Sequence, residues 1–168
     1  MRSQLNISSI NSMGRQIDVC VAPPHQFVLD HQAELLSWNA PIHYLIIVLQ
    51  RSTLPLHQSG AAISAEKDRL RHEFINFGSQ LIALIEQLGY LSDLFDPRTG
   101  YPLQAKPKLP LDDNATVAAL LSYPLVRYQQ CSLIIHPLWH QNVYPSTMAT
   151  SAPLKVIETC LRQILSSR

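Results

Sequence analysis

The segment Glu73 to Tyr101, EFINFGSQLIALIEQLGYLSDLFDPRTGY, constrains the fold more than any other part of the chain. Phe74, Phe77, Leu81, Leu84, Ile85 and Leu88 recur at steps of three and four, so they share one helical face that must be buried against an apolar layer. Gly89 follows the last of them and stops the helix, because glycine takes the left-handed conformation that closes the final carbonyls. Tyr90 to Phe95 then leaves as a short extended segment. Asp96-Pro97-Arg98-Thr99-Gly100 is a turn, since proline presets φ, Asp bonds nearby backbone amides and glycine tolerates positive φ.

Around this segment the hydrophobic pattern predicts further elements. Alternation in Ile17 to Ala22 reads as a half-buried strand that ends at Pro23-Pro24, before a helix from about His25 to Ser37. His43 to Arg51 is apolar on both faces in its middle, as in a central strand covered from two sides. Thr53 to Ser64 reads as a loop, with Ser64 as N-cap of the long helix and Glu66 in its first turn. Residues 102 to 114 are proline-rich and irregular. A short helix near Asn114 to Ser122 follows, capped by Asp112 or Asp113. Tyr128 to His136 and Val143 to Thr150 are predicted strands, paired as a hairpin. Pro153 opens a last helix with Leu154, Ile157, Leu161 and Ile164 on one face. The order of elements is α+β, with a mixed sheet and helices packed on it.

At 168 residues the chain is the size of one domain. Residues 1–13 are polar and Ser-rich and read as a disordered tail, leaving 14–168 as the domain. Thirteen basic residues against twelve acidic ones leave a net charge of +1, without a basic run, so nucleic acid and anionic membranes are not expected partners. Only 15% of the residues are charged, which leaves room for an apolar partner surface. Cys20, Cys131 and Cys160 are widely spaced, odd in number and without a C-x-x-C, which points to a reduced, cytoplasmic setting. The longest apolar run, Tyr44 to Leu49, is too short to span a bilayer.

The five glycines form neither G-x-G-x-x-G nor a P-loop, and there is no G-x-S-x-G elbow, so Rossmann, P-loop and α/β-hydrolase chemistry are excluded. Cys131, His136 and His140 form C-x4-H-x3-H, a donor set suited to zinc. On a regular strand, however, residues five apart face opposite sides and residues four apart lie roughly 13 Å from one another, too far for one ion unless Pro137 bends the chain. His136 is better read as a structural residue hydrogen-bonded at a strand end. Asp96 is explained by the turn it opens, and Arg98 by a solvated corner.

FIN, a long helix, GY and D-x-x-DP-x-[ST]-G, in that order, resemble the C-terminal domain of the methylmalonic aciduria and homocystinuria type D (CblD) family. Upstream, Ile17-Asp18-Val19-Cys20-Val21-Ala22 and Tyr44 to Leu49 fall where that family has its first two strands. Downstream, CSLIIHPLW, Cys131 to Trp139, is similar to its cysteine-strand-His-x-Leu-Trp segment, so the likeness runs from near Gly14 to Leu161. The resemblance implies a nitroreductase-like scaffold without the flavin site. It also implies a non-enzymatic role in cobalamin (vitamin B12) trafficking, in which the protein binds a cobalamin-processing type C-like partner and helps pass the cofactor to dependent enzymes. No cofactor would be bound by this chain alone; cobalamin would be shared with the partner. A flavin-dependent reductase on the same scaffold is the alternative, and it requires a basic phosphate-binding cluster.

In that family a cysteine before this strand is thought to offer its thiolate to the partner's cobalt, as befits a soft donor. The family pattern is a Cys-Cys pair, of which the first is implicated. Alignment on His136 places Gln130 at the first position and Cys131 at the second. Neighbouring strand residues face opposite sides. A regular strand from Tyr128 would therefore turn Gln130 toward the partner and Cys131 inward, as a buried small hydrophobe, whereas a bulge would reverse this. Tyr123, Arg127 and Tyr128, just before the cysteine, are candidates for the partner surface.

Overall fold

The computed structural model describes residues 4–168 except Pro107. Its centre is the strand expected from the two-sided apolar run, β3 (Tyr44–Arg51), in which Leu45 to Leu49 are all buried. β1 (Leu5–Ile10) and β2 (Gln16–Ala22) lie on one side of it, and β7 (Val143–Thr150) and β4 (Ser92–Leu94) on the other, in the order β1-β2-β3-β7-β4. Every neighbouring pair is antiparallel, so the expectation of a mixed sheet is corrected. The α+β class holds.

The two sheet faces carry separate layers. Ile17, Val19, Val21, Ile46, Val48 and Met148 point to α3 (Ala61–Gln87) and α5 (Leu154–Leu165), whose Phe74, Leu81, Ile85, Ile157 and Leu161 complete the larger core. Of the stripe read from the sequence, Phe74, Phe77, Leu81 and Ile85 are buried, Leu84 is half-buried and Leu88, the C-cap, is exposed. Gly89 has φ of +86°, as its place after the helix requires. The start of α3 differs from expectation: the Ser64 amide already donates to Gly60 O at 3.0 Å, because Ala61 and Ala62 extend the helix at little entropic cost.

On the opposite face Leu45, Ile47, Leu49 and Ala149 are covered by α1 (Gln26–Asp30), α2 (Gln32–Leu35) and α4 (Asp113–Leu121). One helix was expected across His25 to Ser37. The break falls at His31, with φ −116° and ψ 18°, and lets Val28, Leu35 and Leu36 all reach the core. Asp112 caps α4 as anticipated, accepting from the Ala115 amide at 3.0 Å.

Two expectations fail through non-local pairing. Of the supposed disordered tail 1–13, residues 1–3 lie outside the described residues. Leu5–Ile10, however, pairs in full register with β2 and packs Leu5 and Ile7 against the larger core. The predicted hairpin between Tyr128–His136 and Val143–Thr150 does not form. Instead β5 (Leu125–Tyr128) and β6 (Cys131–Ile134) make a two-stranded ribbon, and β7 pairs with β3 and β4, where both its faces are covered.

Candidate functional site: an exposed ribbon and its clamped root

The ribbon emerges from α4, which ends at Ser122 in a left-handed conformation (φ 57°) and hands the chain to Tyr123 and Pro124. Its ladder pairs Leu125 with Ile134, Val126 with Leu133, Arg127 with Ser132 and Tyr128 with Cys131. Gln129 and Gln130 make the turn, and Gln129 sits at φ 54°. This turn is why no regular strand runs from Tyr128 through Cys131. The expectation that Cys131 faces inward as a buried hydrophobe is therefore corrected: Cys131 begins β6 at the tip and its thiol is exposed. Gln130, also exposed, occupies the turn beside it.

All four residues of β5 are exposed. Leu125, Val126 and Tyr128 are each nearly half accessible, at 46 to 47%, which is unusual for three large apolar side chains within four residues. The ribbon is held to the body by Ile134, buried with Ile47, Leu49 and Val117, by Asn114 Nδ2, which donates to Ser132 O at 2.9 Å, and by Tyr128, which meets the His57 ring edge-on at 5.2 Å. Arg127 forms no ion pair among the described residues.

The root is different. His136, 2% exposed, accepts at Nδ1 from the amides of Leu138 and Trp139, both at 3.1 Å. With Nδ1 an acceptor, the ring proton is on Nε2, which donates to Asp18 Oδ2 at 3.0 Å across 118 residues of sequence. The ring stacks on Trp139 at 4.0 Å and meets Tyr123 edge-on at 5.6 Å. Tyr123 is thus split between two roles, half-buried in the root rather than displayed beside Arg127 and Tyr128. The structural reading of His136 is borne out, and its partner Asp18 is the residue that sequence reasoning passed over. The available signal was Asp18 alternating with Cys20 on one face of an otherwise apolar strand.

Beside this root, Asn6, Ser8, Asp18, Cys20 and Tyr123 line a polar cavity of about 520 Å³. Burial and then Asp18 push the Cys20 thiol up to about 11, and burial first raises the Tyr123 hydroxyl above its usual range. Neither is ionised near neutrality. Both nitrogens of His136 are committed, so it offers no base to a neighbouring thiol. Cys131, at the tip of the ribbon, and His136, in its root, share no ligand geometry, and no group of three or more His, Cys, Asp or Glu among the described residues is placed to hold a metal. What this region offers is an apolar surface with a free thiol at its end. Among the described residues no helix is long and apolar enough to cross a membrane. Compared with protein-family models and with curated proteins, the chain matches none.

Proposed function

We propose that this protein is a non-enzymatic cobalamin-trafficking adaptor with a nitroreductase-like fold. It docks a cobalamin-processing type C-like partner on the β5–β6 ribbon and presents Cys131 as a sulfur donor toward the partner's cobalt. The observation that carries the docking surface is the exposure of Val126 and Tyr128 on one face of the ribbon, the face that also carries the free thiol of Cys131, paired across from Tyr128. Apolar side chains displayed together in this way are a protein-binding signature. The cobalamin part of the reading rests on the resemblance of FIN…GY…DPRTG and CSLIIHPLW to the type D family.

The experiment mixes the protein with a cobalamin-loaded type C-like partner and follows both association and the cobalamin spectrum. Complex formation with a new sulfur-to-cobalt band is expected, the band vanishing in Cys131→Ser while the complex persists. Val126→Asp with Tyr128→Asp, on the one face, should abolish the complex and leave the thermal midpoint close to that of the wild type, since both side chains are exposed. Absence of any complex with the wild type would overturn the reading.

A further inference from the structure

The sheet has two edges, and they are finished differently. At β4 the Leu94 carbonyl accepts from the Leu103 amide at 2.9 Å, Phe95 bridges to Pro102, and Ser92, Asp93 and Leu94 are all buried. That edge is closed to a further strand. At the other end, β1 pairs with β2 alone among the described residues, and every residue from Leu5 to Ile10 is half-buried or exposed. Open edges are ordinarily guarded by charged side chains, proline or a bulge. Here the run Gln4 to Gly14 contains no charged residue and no proline, and the ladder to β2 is continuous over all of LNISSI.

The direction of the free backbone groups follows from the turn. The Asn11 amide donates to Arg15 O at 3.0 Å, which makes these two a hydrogen-bonded pair continuing the β1–β2 register. Bonded pairs alternate along an antiparallel ladder, so Leu5, Ile7 and Ser9 exchange bonds with β2, and the N–H and C=O groups of Asn6, Ser8 and Ile10 point away from the sheet. Among the described residues no backbone group bonds to them outside the sheet ladder. The side chains alternate too: Leu5 and Ile7 pack on the larger core, while Asn6, Ser8 and Ile10 are exposed on the other face, Ile10 to 63%.

We propose that two copies of this protein associate edge to edge through β1, about a two-fold axis at Ile7 that joins their sheets into one. Antiparallel partners share a face, and outward groups must meet outward groups. An axis at Ile7 satisfies both conditions. Asn6 exchanges backbone bonds with the partner's Ser8, and Ser8 with the partner's Asn6. Ile7 meets the partner's Ile7 as a close non-bonded pair on the helix-covered face, and Leu5 meets the partner's Ser9. The occupant is a second copy because the segment complements itself: it is uncharged, and its polar pair Asn6 and Ser8 is restored when the strand is reversed about Ile7. Pairing consumes the one open edge of each copy, so assembly stops at the dimer. The contact is small, below the about 1,200 Å² of a standard interface, and a dissociation constant of about 10–100 μM is expected.

Sedimentation equilibrium of the full chain, loaded at up to about 1 mM, reads the association, which should show a monomer–dimer equilibrium in this range. Hydrogen exchange at the Asn6 and Ser8 amides should slow as concentration rises, whereas the Leu5 and Ile7 amides, bonded to β2, are protected throughout. Two double variants test the register. Both carry Ser8→Lys, which lies opposite Asp18 in its own ladder and so perturbs the fold of each alike. With Asn6→Lys, like charges face each other across the axis; with Asn6→Glu, opposite charges do. The Lys/Lys variant should dimerise about tenfold or more weakly than the Glu/Lys variant. Val126→Asp with Tyr128→Asp, in the ribbon, should leave the dimer intact, so this test and the adaptor test succeed or fail separately. The proposal is overturned if the wild type stays monomeric at the highest loading, if the Asn6 and Ser8 amides show no concentration-dependent protection, or if the two double variants dimerise equally.

Discussion

Glu66 offers the sharpest test of how the long helix is anchored. Its carboxylate is 7% exposed and accepts from the Thr53 amide at 3.0 Å, Thr53 Oγ1 at 3.1 Å and Ser52 Oγ at 3.3 Å, tying the loop after β3 to α3. Arg69 grips both of its oxygens, at 2.7 and 2.9 Å. The Arg69 hydrogen bonds are the largest influence; together with Thr53 they outweigh burial and hold the carboxyl down from its ordinary 4.5 to about 2. A displacement of that size favours the folded state by about 3 kcal/mol at neutral pH. The sign follows from the depressed folded value: the stabilisation is complete above the unfolded value of 4.5 and is lost as pH falls toward about 2. Glu66→Gln keeps the shape and removes the charge. Its deficit relative to wild type in urea denaturation should be about 3 kcal/mol at pH 7 and about half that at pH 3. Equal deficits at the two pH values would refute the argument, because they would show that shape and neutral hydrogen bonds, not ionisation, make the anchor.

In the native protein a disulfide-exchange reagent should label one thiol rapidly, and Cys131→Ser should remove that phase, because Cys20 and Cys160 are buried and burial raises both of their pKa values. Gly100 has φ of +75°, and a Cβ there would lie 2.5 Å from the Leu111 carbonyl oxygen. Gly100→Ala should therefore cost about 2 to 4 kcal/mol in chemical denaturation, combining left-handed strain with a backbone clash. Leu81, fully buried between the sheet and α5, should cost about 2 to 5 kcal/mol when cut to Ala, read from the denaturant midpoint.

What could be read from the residues was local. The stripe from Phe74 to Ile85, the stop at Gly89, the turn at Asp96–Gly100 and the Asp112 cap each depend on neighbours within a few positions, and each is present. The misreadings concern partners far along the chain. LNISSI carries too little apolar weight to announce a strand, and only the ladder to β2 makes it one. Val143–Thr150 reads as a strand, but nothing in it says that β3, about a hundred residues earlier, is its neighbour. The turn at Gln129–Gln130 has neither glycine nor asparagine, so its left-handed residue gave no warning, and the orientation of Cys131 went with it. Asp18 and His136 meet across 118 residues. The local period of a sequence carries no record of such meetings.

The clamp at the ribbon's root has a kinetic consequence. A free hairpin with four-residue strands is marginally stable in water and spends much of its time open. Here the arm cannot fray from its base, because Tyr123 and His136 grip each other where the two strands leave the body, and Asp18 fastens that junction to the sheet. Hydrogen exchange should thus open the tip at Gln129–Gln130 first and the junction last. A protein arriving at Val126 and Tyr128 would meet side chains mounted on a backbone that is already ordered, so little of the about 0.5–1.5 kcal/mol per immobilised side chain that association usually costs is compounded by backbone ordering. Association with such an arm is governed by how often the partners collide in the right orientation, and its lifetime by how well the tip is covered.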